Sequence, residues 1–371
     1  MFEKLGAKKF AVPALMVLLI GCVMALIFYP ILNMKPQELP FAIVSLDEGA
    51  ETPAGDMNAG EMMVTGLTTA ETPDGETAPI SWELMSSQAD LDAALENNDY
   101  YGALVIPADF TEKQMLAQAG QGEAPVVSVV LDNAKSPMVA NQMQASIGAM
   151  LAQMDLNADV QIIHTGNSDA DAASPLTNMM SQNIAVMPLM IMSMIGGIVI
   201  SRILPRTTAA STSGRFANLG KQLGYAAGLS LLISLAAVIL INTLVHAGAP
   251  FLVTTVFLWF ASFAVMSLFL GAFDIAVPLG ALAVLLVLFC GMMTAVLPAE
   301  MLPPFWANWI VPWVPQPFIA QGIRDILYMG AGLMPRGTGG LLIIGGVGLL
   351  LAIAAAFIPS RAKNTVEAVA A

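Results

Sequence analysis

Few side chains in this chain of 371 residues are arranged for covalent chemistry. A phosphate-binding loop has the form GxxxxGK[ST]: backbone N–H groups surround the phosphates and a hydroxyl holds Mg²⁺. The nearest approach is Gly214-Arg-Phe-Ala-Asn-Leu-Gly220-Lys221-Gln222. It has one residue too many between the glycines, an amide where the hydroxyl is needed, and no strand before it. If ATP is used, another chain must bind it. His164 and His246 lie far apart, and no HExxH spacing exists. Cys22 and Cys290 both fall in apolar runs, so no disulfide framework or cysteine metal site is available. The acid pairs Asp90/Asp92 and Asp169/Asp171 are expected to be solvated faces rather than acid–base pairs. There is no GxSxG elbow and no EF-hand loop. The sequence therefore predicts no catalytic residue, no metal and no cofactor.

The informative polar residues are those in apolar surroundings. Asp274 is the one acid or base within residues 222–296. It is expected at a turn between two spans. The alternative is a proton-carrying carboxylate of a proton-coupled transporter, although that stretch has no second carboxylate to act as a relay. Trp306, Trp309 and Trp313 are spaced i, i+3 and i+7, one face of a helix. Pro312, Pro315 and Pro317 keep that helix short. Residues 303–334 are expected as broken helices in, or dipping into, the outer leaflet, forming either an aromatic belt or an outer gate. Arg324 and Asp325 follow, as an interfacial salt bridge, a gate latch or a lipid headgroup contact. Met187, Met190, Met192 and Met194 crowd one apolar run, either as adaptable packing or as a polyspecific hydrophobic pathway.

Composition says what must hold these residues. The chain is 57% hydrophobic and 11% charged, against about 25% charged in soluble domains. Residues 222–273 contain no Asp, Glu, Lys or Arg, and about 20 apolar residues span a bilayer. This is a multi-span α-helical membrane protein. Residues 31–181 carry 22 acids and 3 bases, while the remainder carries 11 bases and 5 acids. An acidic polar domain is thus inserted into a mildly basic membrane protein, and it should repel nucleic acid.

Residues 1–30 hold a basic cytoplasmic N-terminus and a first span, Phe10–Phe28. The run also has signal-peptide features. It ends in bulky Phe28-Tyr29-Pro30 rather than a small-residue cleavage site, which favours an uncleaved span. Residues 182–371 hold five further spans, Asn183–Leu204, Leu223–Val245, Phe251–Phe273, Ile275–Leu297 and Leu341–Ile358. A polar connection, 205–221, and a broken segment, 298–340, lie between them. With both termini inside, nine basic residues near span ends fall on the cytoplasmic side (Lys4, Lys8, Lys9, Arg202, Arg206, Arg215, Lys221, Arg361 and Lys363). Arg324 and Arg336, in the segment before the last span, fall outside. This supports six spans in the cell membrane, with residues 31–181 extracytoplasmic. The bases of 205–221 either satisfy this rule and attract anionic lipid or contact a partner.

The insert reads as a small α/β domain. Strands are expected at Pro40–Leu46, Tyr100–Ile106 and Val126–Leu131. Helices are expected at Ser87–Asn97, Asp109–Ala119 and Ala134–Met154. Residues 47–79, rich in Gly, Thr, Pro and acids, are expected as a long loop.

This layout resembles the YhgE/Pip (phage infection protein) branch of ABC exporter permeases of the ABC-2 class. Leu39-Pro-Phe-Ala-Ile-Val-Ser-Leu-Asp47 is similar to that family's first external strand. Asn98-Asp-Tyr-Tyr-Gly-Ala-Leu-Val-Ile-Pro-Ala-Asp-Phe110 is the most specific match. Leu302-Pro-Pro-Phe and Gln321-Gly-Ile-Arg324 resemble the loop before its last span. The resemblance implies a membrane subunit in a homodimer or heterodimer, driven by a separate ABC ATPase subunit and moving a hydrophobic or amphipathic substrate outward. It also makes 205–221 the coupling loop, with Arg206, Arg215, Phe216 and Lys221 as contacts. Relatives implied by the same resemblance act as phage receptors or secretion accessories, so a receptor or scaffold role is the alternative.

Overall fold

The computed structural model describes residues 28–52, 55–69, 77–153, 156–166, 175–209, 211–244 and 246–359, with isolated helical positions between Leu15 and Ala25. Most of the first apolar run, Asp169, Asp171 and both terminal basic clusters lie outside the described residues.

Residues 39–163 form a sheet unit. In chain order it contains β1 (Leu39–Ser45), β2 (Ala50–Thr52), β3 (Gly55–Met57), α1 (Ala59–Thr69), β4 (Ile80–Leu84) and α2 (Gln88–Glu96). It continues through β5 (Gly102–Ile106), α3 (Phe110–Gln118), β6 (Val126–Asp132), α4 (Pro137–Gln153) and β7 (Asn157–Ile163). Five strands pair in the order β4-β1-β5-β6-β7. The β5–β6 pair is antiparallel and the others are parallel. β1 is buried on both faces, which explains its unbroken apolar run. Leu39, Phe41 and Ile43 join a core with Val139, Met143 and Ile147 of α4. Ala42 and Val44 join Leu91 and Leu95 of α2 on the other face. Ser87 caps α2 by accepting from the Asp90 N–H at 3.1 Å.

The segment 47–79 is not one long loop. It holds the β2–β3 hairpin, α1 and a connection to β4. The organiser is Asp47. Its carboxylate accepts from the N–H of Gly60 at 2.9 Å and of Thr111 at 3.0 Å, and from the Thr111 hydroxyl. One anion thus serves the first turns of α1 and α3, where N–H groups lack helical partners. Burial pushes this carboxyl up, but the hydrogen bonds from Thr111, Gly60 and Gly49 outweigh it and hold the group below its ordinary value. β4 and β7 lie at the two sheet edges with partly exposed side chains. That is why ISWEL and NADVQII lack the apolar density of the inner strands.

The remaining helices are α5 (Pro175–Ile203), α6 (Thr212–Leu244), α7 (Phe251–Ile275), α8 (Val277–Leu285), α9 (Pro315–Tyr328) and α10 (Thr338–Phe357). Among the described residues, four helices are long and apolar enough to cross a membrane: Ala185–Ile203 within α5, then α6, α7 and α10. α7 is the centre of the bundle, with α5, α6 and α10 packed on it. Small residues permit this. A Cβ on Gly271 would strike the Gly348 carbonyl, and a Cβ on Gly348 would strike the backbone of Leu268. Close backbone approach replaces the missing hydrophobic drive between helices in lipid. Ser193 and Ser262 share a buried hydrogen bond of 2.7 Å between α5 and α7.

The run expected as a span at Ile275–Leu297 is irregular. α7 ends at Ala276, whose backbone is extended. α8 then passes into a π turn, Leu286–Cys290, and a 3₁₀ turn, Met293–Ala295. The apolar helix Val277–Cys290 is shorter than the other four. Gln316 explains the break. Its side-chain amide donates to the Val287 carbonyl at 2.6 Å, and only a glycine at 291 leaves room for it. A side chain inserted into the helical ladder gives the freed carbonyl a partner.

Candidate functional site

One candidate site lies where α5, α6, α7 and α10 end together. The connection 205–221 is mostly helix: a 3₁₀ turn at Arg206–Thr208, then the first ten residues of α6. At about 1.5 Å per residue, this helix of 33 residues is near 50 Å long and outreaches a hydrocarbon core of about 30 Å. Its inward face carries Arg215, Leu219, Gln222 and Ala226 at helical spacing, and Leu219 packs on Ala352 and Ala356 of α10.

The two arginines face inward. Arg215 is 4% exposed. Its Nε donates to the Ala356 carbonyl at 2.7 Å and its guanidinium to Thr212 Oγ1 at 3.0 Å. Arg206 donates to the Ile358 carbonyl at 2.8 Å and to the Asp274 carbonyl. These are terminal carbonyls of α10 and α7, the groups a helix leaves without internal partners and where positive charge is favoured. Phe216 packs edge-on against Phe357 at 5.1 Å while staying partly exposed. Lys221 is exposed. Of the four coupling residues expected from the sequence, two knit helix ends together, and Phe216 and Lys221 present surface. Asp274 is buried in the last turn of α7 rather than in the turn itself. Phe216→Ala is expected to cost about 0.5–1.5 kcal/mol, the worth of an aromatic pair, read as a lowered unfolding midpoint in detergent.

A second candidate site joins the sheet unit to the segment 294–336. The Tyr101 hydroxyl donates to Glu300 Oε2 at 2.9 Å. The Gln37 N–H donates to the Glu300 carbonyl at 2.9 Å. Met301 inserts into the sheet core. Burial and the Glu300 carboxylate together hold the Tyr101 phenol well above its ordinary value, and therefore neutral. Asp325 binds Arg336. Its Oδ1 lies 2.8 Å from the Arg336 guanidinium, and its Oδ2 accepts from the Arg336 N–H at 2.9 Å. Arg336 also reaches the Asn97 carbonyl of the sheet unit at 3.0 Å. Arg336 was not singled out by spacing, because its partners are 11 and 239 positions away.

The tryptophans do not share one environment. A π turn at Trp306–Ile310 offsets their i, i+3, i+7 spacing. Trp306 is buried and stacks on Tyr29 at 5.4 Å. Trp309 is 71% exposed, and Trp313 is partly exposed with its indole N–H donated to the Trp309 carbonyl.

His164 lies against Asp132, Nδ1 to Oδ1 at 2.9 Å. Asp132 is fully buried, and burial raises its carboxyl above the usual value despite bonds from His164 and Ala134. A carboxyl raised in the folded state contributes stability below its unfolded value, 3.8, that is lost as pH rises through the folded value. Asp132→Asn keeps the acceptor oxygen and removes the titration. The variant is expected to gain stability relative to the parent across that window, measured as the difference in unfolding midpoint at successive pH values. An equal difference at every pH would refute the assignment.

An α-helical, multi-pass membrane protein carrying a small mixed sheet is the class this architecture defines. Residues 11–358 match the family model described as ABC-2 family transporter protein, and the chain belongs to that family. Membership implies, in general, an ATPase partner. No curated protein and no solved structure matches the chain.

Proposed function

We propose that this chain is the permease subunit of an ABC-type exporter that moves a hydrophobic or amphipathic substrate outward, energised by an ATPase on another chain. The observation that carries the proposal is the family match along residues 11–358. The absence of a phosphate loop supports a separate ATPase. Gly214–Gln222, the nearest approach, is continuous helix within α6 and cannot fold its N–H groups around a phosphate.

In this reading the first apolar run, Phe10–Phe28, and the run Ile275–Leu297, whose helical part is Val277–Cys290, join the four long helices to make six spans. Both termini are cytoplasmic and residues 31–181 extracytoplasmic, because nine span-flanking bases then lie inside and two outside. The permease acts as a dimer, with a second copy or a related chain, in contact with membrane lipid. The YhgE/Pip branch is favoured by the order of motifs: Leu39–Asp47 enters β1, Asn98–Phe110 enters β5 and α3, and Leu302–Phe305 precedes the π turn. The ATPase would press on the exposed face of α6 around Phe216 and Lys221. Arg206 and Arg215 would pass that force to α7 and α10, biasing two packings of the bundle.

The test is co-expression with a candidate ATPase. The pair is expected to co-purify, with ATPase activity that depends on this chain. If no ATPase co-purifies and none is stimulated, the exporter reading fails and the receptor or scaffold role takes its place.

A further inference from the structure

A polar cavity of about 260 Å³ lies between the sheet unit and the segment 294–336. Lys135, Arg324 and Arg336 line it, against one carboxylate, Glu300. Asp325, nearby, is held by Arg336. Lys135 donates to the Asn98 and Asp99 carbonyls at 3.0 and 2.8 Å, which aims its ammonium across the Tyr101 ring. Arg336 is close enough to act on both of the other cations. Burial is the largest influence on Lys135 and Arg324 and lowers both; Glu300 acts against it at Lys135, and Tyr101 and Asp325 act against it at Arg324, with the Arg336 charge a smaller, repulsive influence on each. Asn98 also lines the cavity, is 5% exposed, and has an amide oxygen with no partner among the described residues. A side-chain amide can present either its oxygen or its NH₂ to a ligand.

We propose that this cavity binds a phosphate group, taken by Lys135 and Arg336 with Arg324 behind them. Phosphate suits the arrangement, since guanidinium forks and an ammonium match its oxygens. The lining offers an anion three basic side chains against one carboxylate. The cavity is smaller than a pocket of about 300–1,000 Å³ for a whole drug-sized ligand, so it fits a headgroup or a free ion. An apolar groove of about 520 Å³, walled mainly by α8 and α10, reaches the same segment at Pro312, Trp313 and Phe318. Val311 and Pro317 line the cavity, while Pro312, Trp313 and Phe318 line the groove. That adjacency places acyl chains beside a bound headgroup, so phosphate on an amphiphile is the form in which the site deepens the exporter reading, on which its transport role rests.

The test uses the full chain in maltoside detergent, with three probes titrated against the unfolding midpoint: inorganic phosphate, dioctanoyl phosphatidic acid and uncharged dioctanoylglycerol. Ligand binding to the folded state raises that midpoint. Saturable shifts are expected with the phosphate-bearing probes and not with dioctanoylglycerol. Lys135→Gln is expected to weaken the apparent affinity by about tenfold, the worth of one charge-assisted hydrogen bond. Glu300→Gln removes the competing charge while still accepting from Tyr101. It is expected to tighten binding by about threefold or more, a gain that misfolding cannot imitate. Tighter binding of the lipid than of free phosphate identifies a headgroup site, and equal binding identifies a site for the free ion. Saturation by neither phosphate probe at millimolar concentration, or affinities unmoved in both variants, would overturn the proposal. Because no ATPase is present, loss of this site leaves the exporter reading standing, and a failed ATPase co-purification leaves the site standing.

Discussion

Gly348→Leu is expected to prevent assembly of the helix bundle, and Gly346→Leu to be tolerated. Both glycines lie in α10, two residues apart. A Cβ at 348 would strike the Leu268 N–H and the carbonyl carbon of Ser267, whereas nothing lies within 4 Å of a Cβ at 346. The atoms in the way at 348 are backbone of α7, so no rotamer change can relieve the clash. Overpacking of cores costs about 1–3 kcal/mol where side chains can shift. A backbone obstruction between two helices is expected to exceed about 3 kcal/mol, a large share of the stability of a protein. The measurement is the yield of monodisperse protein in detergent and its unfolding midpoint. Equal yields for the two variants would show that α7 and α10 do not meet through Gly271 and Gly348.

Arg215→Met should be the second large effect, and its two readouts separate packing from coupling. Methionine fills much of the volume of the arginine stem but leaves the Ala356 carbonyl without its 2.7 Å donor. Loss of a charge-assisted bond at a helix C-terminus costs about 2–3 kcal/mol, seen as a lower unfolding midpoint. If Arg215 passes movement of α6 to α10, stimulation of a partner ATPase should fall by about tenfold or more even at temperatures where the variant stays folded. Lys221→Ala, at an exposed residue of the same helix, should leave the midpoint unchanged and weaken only the ATPase interaction. A normal midpoint with Arg215→Met would mean that the arginine is replaceable packing.

The elements legible in the sequence were those whose residues report their own surroundings. β1 and β5 are buried on both faces and β6 fully on one, and their apolar runs marked them within a residue or two. α2 showed itself through Leu91 and Leu95, its two buried positions. β4 and β7 were not legible, because an edge strand buries half its side chains and draws its stability from the neighbour it pairs with. α1 was only partly signalled: Asn58 caps it locally, but its Ala59 and Gly60 N–H groups find their acceptors elsewhere along the chain, in Thr111 and Asp47. At the site, the spacing of the tryptophans suggested one face, and the π turn at Trp306–Ile310 moved them apart.

What the sequence determined by itself was the solvent for each part of the chain. Runs without charge require lipid, and the segment with most of the acids requires water, whatever the fold. Only the tertiary structure decided which charges meet. Arg206 and Arg215 turn inward to helix ends, Arg336 takes Asp325, and Lys135 and Arg324 share a cavity with Glu300. Partition between lipid and water depends on local composition summed along a segment, whereas an ion pair depends on distance in space between residues whose separation along the chain carries no record of it.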